Sequence, residues 1–573
     1  MSRICDTILL GMILVCTGGC LGQPVTGQIV VDPQHPAWFM YQGGGPFFMC
    51  GPGDPEGFLY RGTRNANGSR SGDQMTLIQK LSGTGANCIY LMAIRSHGGD
   101  GDATQNPYVD SDLTKGLDDD ILNQWETWFT AMDNSGIVIF FFLYDDSASP
   151  FGNDLPAGGQ LKPAEATFVD AMVSRFKHHR HLIWCVAEEY GEALTPAHAA
   201  KVAERIHQQD DRHHPVAIHQ NSGTSFDFNG NPNFQQFAVQ WNVSTAEELH
   251  AGALAARADV GGLVNINMSE FAGADTGATL RRKLWAIALG SAYAMVLDMD
   301  IASTPLADLQ DCGRLVAFMQ AARCNETVPH DELAREATDY VLADPGSVYI
   351  AYSDTGGRLA VLMTAGRYRV RWYDPASGNW TDQGVRAVSD GAQTFASPWD
   401  DGIEAAVYLE RVLPPGPASD PVPPNGATSV GVQPVLSWTA GAESTSQAVY
   451  FGTVSPGSSQ GSQEAASYTP GTLHPRTTYF WRIDEVNVFG TTIGPVWSFT
   501  TRLLPGDADD DGDVDQEDFG RFQQCLSPPG ALPIEPQCAF ANLNGDELVD
   551  QADLAAFVAC FSGADVPADP GCH

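Results

Sequence analysis

The stretch Ile137-Val-Ile-Phe-Phe-Phe-Leu-Tyr144, followed at once by Asp145-Asp146, decides how the first half of the chain is read. An unbroken apolar run, rich in β-branched and aromatic residues and closed by polar ones, reads as a strand buried on both faces. Seven other stretches have this character: Pro46–Cys50, Cys88–Ile94, His181–Ala187, His214–His219, Gln236–Trp241, Gly262–Met268 and Tyr293–Met299. Helical patterns lie between most of them, at Gln74–Leu81, Asp119–Met132, Ala164–Phe176, Pro196–Gln208, Ala246–Ala256 and Gly277–Leu289, and Leu306–Ala322 follows the last strand. Only the fifth connection, Gln220–Gln235, lacks a clear helix; it is Asn/Gly-rich and reads as a long loop. Eight strands with intervening helices over about 280 residues predict a (β/α)8 TIM barrel. The rival, an open doubly wound sheet, would want a Gly-rich phosphate turn after an early strand, and none with that spacing occurs.

Outward from this block, the 573 residues divide further. Residues 28–328 hold the barrel pattern, and residues 329–412 are strand-like only, as a small β-sandwich would be. Residues 413–424 are proline-rich and read as a stiff, extended linker. Residues 425–502 form a second all-strand block. Residues 503–573 carry 15 acidic residues against one basic residue, Arg521, and so −14 of the chain's net −38. With Lys+Arg 31 against Asp+Glu 69, the balance excludes nucleic acid as a partner and disfavours anionic membranes. The local acidic density points to a cation site.

Residues 1–20 read as an export signal: Arg3, the apolar run Ile8–Cys16, then small residues into Cys20. Gly19-Cys20 resembles a bacterial lipoprotein cleavage site, which would lipidate Cys20. No other stretch reaches the length of a membrane span, so the expected location is extracellular or at the cell surface. Of the 12 cysteines, Cys525, Cys538, Cys560 and Cys572 crowd the tail and read as two disulfides. Cys50, Cys88 and Cys185 read as buried thiols, and a Cys312–Cys324 pair stays open.

Chemistry in a barrel sits at the carboxyl ends of its strands. Those ends carry Asp54, His97, Asp145-Asp146, Glu188-Glu189, His219, Gln240-Trp241, Glu270 and Asp298-Met-Asp300. Carboxylates with aromatic rings suit a sugar, the rings stacking on pyranose faces and the acids moving protons. Glu189 and Glu270 follow strands on opposite sides of the barrel, where a retaining glycosidase holds two carboxyls about 5 Å apart. Asp54, His97, Asp145, Asp146, His219, Gln240 and Trp241 are the candidate substrate-binding residues. Asp145-Asp146 alternatively bond backbone amides or a cation, and His178, His179, His213 and His214 fall on the opposite, structural face.

Gly51-Pro-Gly-Asp-Pro-Glu-Gly-Phe-Leu-Tyr-Arg-Gly62, Arg95-Ser-His-Gly-Gly-Asp100 and Trp184-Cys-Val-Ala-Glu-Glu-Tyr-Gly191 resemble the bacterial apiosidase-like and cellulase-like glycoside hydrolases. In that superfamily strand 4 usually ends Asn-Glu, the Glu being the acid/base, and strand 7 ends with the nucleophile. The resemblance implies that Glu189 is the acid/base and Glu270 the nucleophile, with Glu188 standing where Asn is usual. That departure leaves open which of Glu188 and Glu189 donates the proton. A non-catalytic carbohydrate-binding or adhesion protein on the same scaffold is the alternative.

Val435-Leu-Ser-Trp438, the tyrosine-corner spacing of Leu473–Tyr479, and Trp497-Ser-Phe-Thr-Thr501 resemble a fibronectin type III domain, which implies a spacer. In the tail, Val514–Leu526 repeats as Val549–Phe561. Asp507, Asp509, Asp511, Asp515 and Asp518 fall at positions 1, 3, 5, 9 and 12 of a calcium loop, with Gly512 at the turn. Asn542, Asn544, Asp546, Asp550 and Asp553 repeat the pattern, but Glu547 replaces the turn glycine, so the second site is expected to be weaker. Paired half EF-hands of this kind resemble a type I dockerin, which implies structural Ca2+ and a cohesin-like partner. A calcium-stapled terminal domain without a partner is the alternative.

Overall fold

The computed structural model describes residues 27–53, 57–271, 275–297, 299–502, 504–509, 511–528, 534, 536–566 and 568–569. The export segment with Cys20, and Asp54, Asp298 and Cys572, lie outside the described residues. Two compact units are present, residues 1–411 and 412–573. Among the described residues no helix is long and apolar enough to cross a membrane.

The first unit is built on an eight-stranded parallel sheet: β1 (Cys50–Pro52), β2 (Cys88–Ile94), β3 (Val138–Tyr144), β4 (Leu182–Ala187), β5 (Val216–Gln220), β6 (Gln236–Gln240), β7 (Asn265–Glu270) and β8 (Ala292–Val296). From β2 to β8 each strand pairs with its sequence neighbour, and β8 pairs with β1. Asn87 closes the seam between β1 and β2: its backbone N–H donates to the Cys50 carbonyl at 3.0 Å and its Oδ1 accepts from the Cys50 N–H at 3.0 Å. Helices α1 (Gln74–Ser82), α2 (Asp119–Asn134), α3 (Pro163–Phe176), α4 (Pro196–Gln209), α5 (Ala246–Asp259), α6 (Gly277–Leu289) and α7 (Leu306–Ala321) surround it. Their starts are written locally: proline opens α3 and α4, and Thr245 with Glu248 forms a capping box at α5. The connection from β5 to β6 is helix-free, as expected. The ends of strands β1, β5, β7 and β8 lie one to four residues from their expected bounds.

Residues 328–411 form the expected β-sandwich. A six-stranded sheet containing Tyr340–Asp344, Val348–Ser353 and Ala405–Arg411 faces a three-stranded one. Its larger sheet is buried on both sides. Val341, Tyr349 and Ala351 point into the sandwich core, while Leu342, Ile350 and Tyr352 join the barrel core. Trp285 of α6 stacks on Tyr352 at 5.1 Å, and Arg281 pairs with Asp311 and Glu404 across the same seam.

The second unit holds another two-sheet β-domain with Leu436, Trp438, Tyr479, Trp481, Trp497 and Phe499 at its core. The Tyr479 hydroxyl accepts from the His474 N–H at 3.0 Å. The expected linker over 413–424 needs correction: Ser419–Val422 is a strand of this domain, paired with Leu436–Thr439, and Ala418 is in its core. Its prolines are tolerated because the strand lies at a sheet edge. The acidic tail folds around Leu504, Val514, Phe522, Val549 and Phe557, with Val432 of the preceding domain in the same core. Cys525 and Cys538 are disulfide-bonded, and Cys560 is disulfide-bonded as well. Cys50, Cys88, Cys185, Cys312 and Cys324 are buried free thiols.

Candidate active site

Strand β4 ends at Ala187, and the chain then turns sharply. Glu189 takes φ 33° and ψ 50°, a left-handed conformation that costs a residue with a side chain about 1–3 kcal/mol. Its N–H donates to His219 Nδ1 on β5 at 3.0 Å, which fixes the imidazole proton on Nε2. Burial pulls the His219 imidazole below its usual range, so it stays neutral. The turn separates two adjacent acids. Glu188 is buried and accepts from the Tyr90 hydroxyl at 2.8 Å, and its carboxylate lies with those of Asp145 and Asp146. Glu189 is half-buried and faces β6 and β7.

There the Gln240 amide Nε2 donates to Glu189 Oε1 and, at 2.6 Å, to Glu270 Oε2. Two oxygens held by one nitrogen at hydrogen-bond distance can stand no more than about 5 Å apart. Glu270 is the last residue of β7 and is buried. Burial, then the charge of Glu270, then the neighbouring Glu192, push the Glu189 carboxyl up to about 7, against the pull of the Gln240 amide.

The other expected residues fall at different depths. Asp145 is fully buried and accepts from Arg95 Nε and the Asp100 N–H, both at 3.1 Å. Its own contacts are therefore internal, while burial and Asp145 push Asp146 up to about 6. His97 is exposed on its loop with Nδ1 2.5 Å from Ser96 Oγ. The Trp241 indole is seated on α5, where it donates to the Glu248 carbonyl at 3.2 Å and a Cβ at Gly252 would meet it at 2.5 Å. The indole's N–H is thus spent on the helix, while the ring is only partly buried. His178 and His179 lie beside Glu126 away from the strand ends, as expected. Glu192, three residues past Glu189, was not singled out from sequence; its i,i+3 spacing on the turn after β4 is the signal that carries it.

The fold has known counterparts. It is similar to a solved glycoside hydrolase with 13% identity, 67% of this chain and 97% of that chain covered, and a TM-score of 0.51. It is also similar to a glycoside hydrolase family 5 protein from Bacteroides vulgatus, with 12% identity, 67% and 94% covered, and a TM-score of 0.52. At such identity the likeness establishes the barrel architecture. No protein-family model and no curated protein matches the chain.

Asp507, Asp509 and Asp511 bring carboxylate oxygens within 4.8 Å of one another, and Asp509 Oδ1 is buried without a hydrogen-bond partner. Gly512 turns the first loop with φ 96°. In the second loop the positive φ, 74°, falls on Gly545, and Glu547 is not in that region. The strain expected to weaken the second site is therefore absent, because the positive φ there falls on a glycine. The donor set of the first loop fits a hard cation.

Proposed function

We propose that this chain is an exported retaining glycoside hydrolase acting on a polysaccharide or oligosaccharide. The observation that carries the reading is one amide nitrogen hydrogen-bonded to both Glu189 and Glu270. A separation of at most about 5 Å lies nearer the about 5–5.5 Å of retaining enzymes than the about 6.5–9.5 Å that leaves room for water in inverting ones. Glu189, carrying its proton up to about pH 7 and open to solvent, suits the acid. Glu270, at the end of β7, suits the nucleophile. Glu188 is spent on Tyr90 and the Asp145–Asp146 pair, which favours Glu189 as the donor.

In this reading Glu270 Oε attacks the anomeric carbon as Glu189 gives its proton to the leaving oxygen, forming a glycosyl ester. Glu189, now a carboxylate, takes a proton from water; that water attacks the anomeric carbon and releases Glu270. The test is release of reducing sugar across a glycan panel, abolished in Glu270→Gln with an unchanged melting curve. Binding without cleavage would make it an adhesion protein instead.

The second unit is read as a fibronectin type III-like spacer followed by a dockerin-like module holding structural Ca2+ through Asp507, Asp509, Asp511, Asp515 and Asp518, and through Asn542, Asn544, Asp546, Asp550 and Asp553. Calcium would cross-link each loop to its helix. A chelator should lower the melting transition of the full chain, and calcium, not magnesium, should restore it. Pull-down with a cohesin domain, with and without chelator, tests the partner.

A further inference from the structure

We propose that Gln240 is a positioning residue whose amide, anchored by the backbone of Ser222, sets the spacing and the relative protonation of Glu189 and Glu270. The inference rests on the hydrolase reading above and assigns Gln240 a task other than touching the sugar. Its two amide hydrogens go to the two carboxylates, and its Oε1 accepts from the Ser222 N–H at 3.0 Å. An amide has two donors, so none is left for a substrate hydroxyl while this arrangement holds.

Two irregular features build the arrangement. The first is a break in register between β6 and β7. Val239 pairs with Met268 but Gln240 pairs with Glu270, so Ser269 is the extra residue of a bulge. Bulges re-aim side chains, and this one sets Gln240 directly across from Glu270. The second is the helix-free connection after β5. Ser222 takes φ 30° and Gly223 φ 126°, which turns the Ser222 N–H toward Gln240. The loop is fastened on both sides. Gln220 Oε1 accepts from the Asp227 N–H at 3.0 Å, and Asp259 of α5 accepts from the Phe226 N–H and from Asn229, both at 2.8 Å. A segment that looks like a missing helix thus serves as the amide's anchor.

The groups facing Glu189 are Glu270 from β7, Gln240 from β6, His219 from β5 through the Glu189 N–H, and Glu192 from its own turn, with Asp146 of the β3 loop acting on Glu192. Burial, Glu270 and Glu192 favour the protonated acid; Gln240 opposes them. Removing the amide therefore leaves Glu189 protonated to higher pH.

The experiment uses the full chain labelled with 13Cδ-glutamate, with Glu189→Gln assigning the resonance. In Gln240→Leu the Glu189 titration should move up by about one pH unit. In Gln240→Met, which keeps the length and removes both N–H donors without adding charge, it should move up as well. Both variants should melt like the parent, and whichever folds decides the question. On any glycan the parent cleaves, the alkaline limb of kcat/KM should move by the same amount, kcat should fall about tenfold, and KM should stay within about twofold. An unmoved titration in a folded variant overturns the proposal, and so does a raised KM with kcat unchanged. Failure of the parent to cleave any glycan would instead remove the hydrolase reading, while the titration still decides the amide's hold.

Discussion

At the barrel mouth Glu189 and Glu270 share a single amide donor, whereas in the acidic tail Asp518 and Asp553 each accept three backbone N–H groups. Asp518 takes those of Ala508, Asp509 and Asp515; Asp553 takes those of Leu543, Asn544 and Asp550. Both regions crowd carboxylates. At Asp518 and Asp553 the backbone answers the charge, and both helix starts are held in capping boxes. At the mouth the donors fall short, so a proton is retained. A crowded carboxylate with ample donors stays ionised, whereas one short of donors keeps a proton, which the acid step proposed above requires.

The sharpest way to break this contrast is Glu189→Gln. It should lower kcat/KM by roughly 10²–10⁴-fold and, in the same pH series, flatten the alkaline limb. In the parent that limb follows from the sign of the shift: the acid works only when protonated, so kcat/KM should fall about tenfold per pH unit above about 7. A parent profile flat to pH 9 would place the proton elsewhere. In the tail, Asp518→Ala should orphan three N–H groups and lower stability by about 1–3 kcal/mol in a denaturant titration, with no effect on kcat. Asp553→Ala should match it within about 0.5 kcal/mol, since the two loops repeat the same bonds; a much smaller effect would show the copies to be unequal. The smallest effect is expected for Glu547→Gly, which should change calcium affinity by less than about twofold because Glu547 does not occupy the strained turn.

Much of the fold was legible because burial leaves a periodic trace. β2, spanning Cys88–Ile94, matches its apolar run residue for residue, and the absence of a helix between β5 and β6 was visible in the Asn/Gly-rich stretch. Strand ends were less visible. The apolar run before β7 stops at Met268, but pairing continues to Glu270 because the bulge at Ser269 carries the ladder past it. The linker reading failed for a related reason: proline content marks stiffness, not whether an edge strand docks. Trp241 shows the limit for the site, since the helix that takes its indole N–H seats it through Gly252, eleven residues further along the chain.

The sequence alone determined the number of strands, the acidic repeat and which strand ends bear carboxylates, because these follow from local periodicity and spacing. Only the tertiary structure decided which acid stands in which environment. Glu188 and Glu189 are identical to any local rule, and a single left-handed residue sends one to Tyr90 and Asp145 and the other to Gln240 and Glu270. The proton affinity of a carboxyl is set by what surrounds it in space, and those surroundings come from strands distant along the chain.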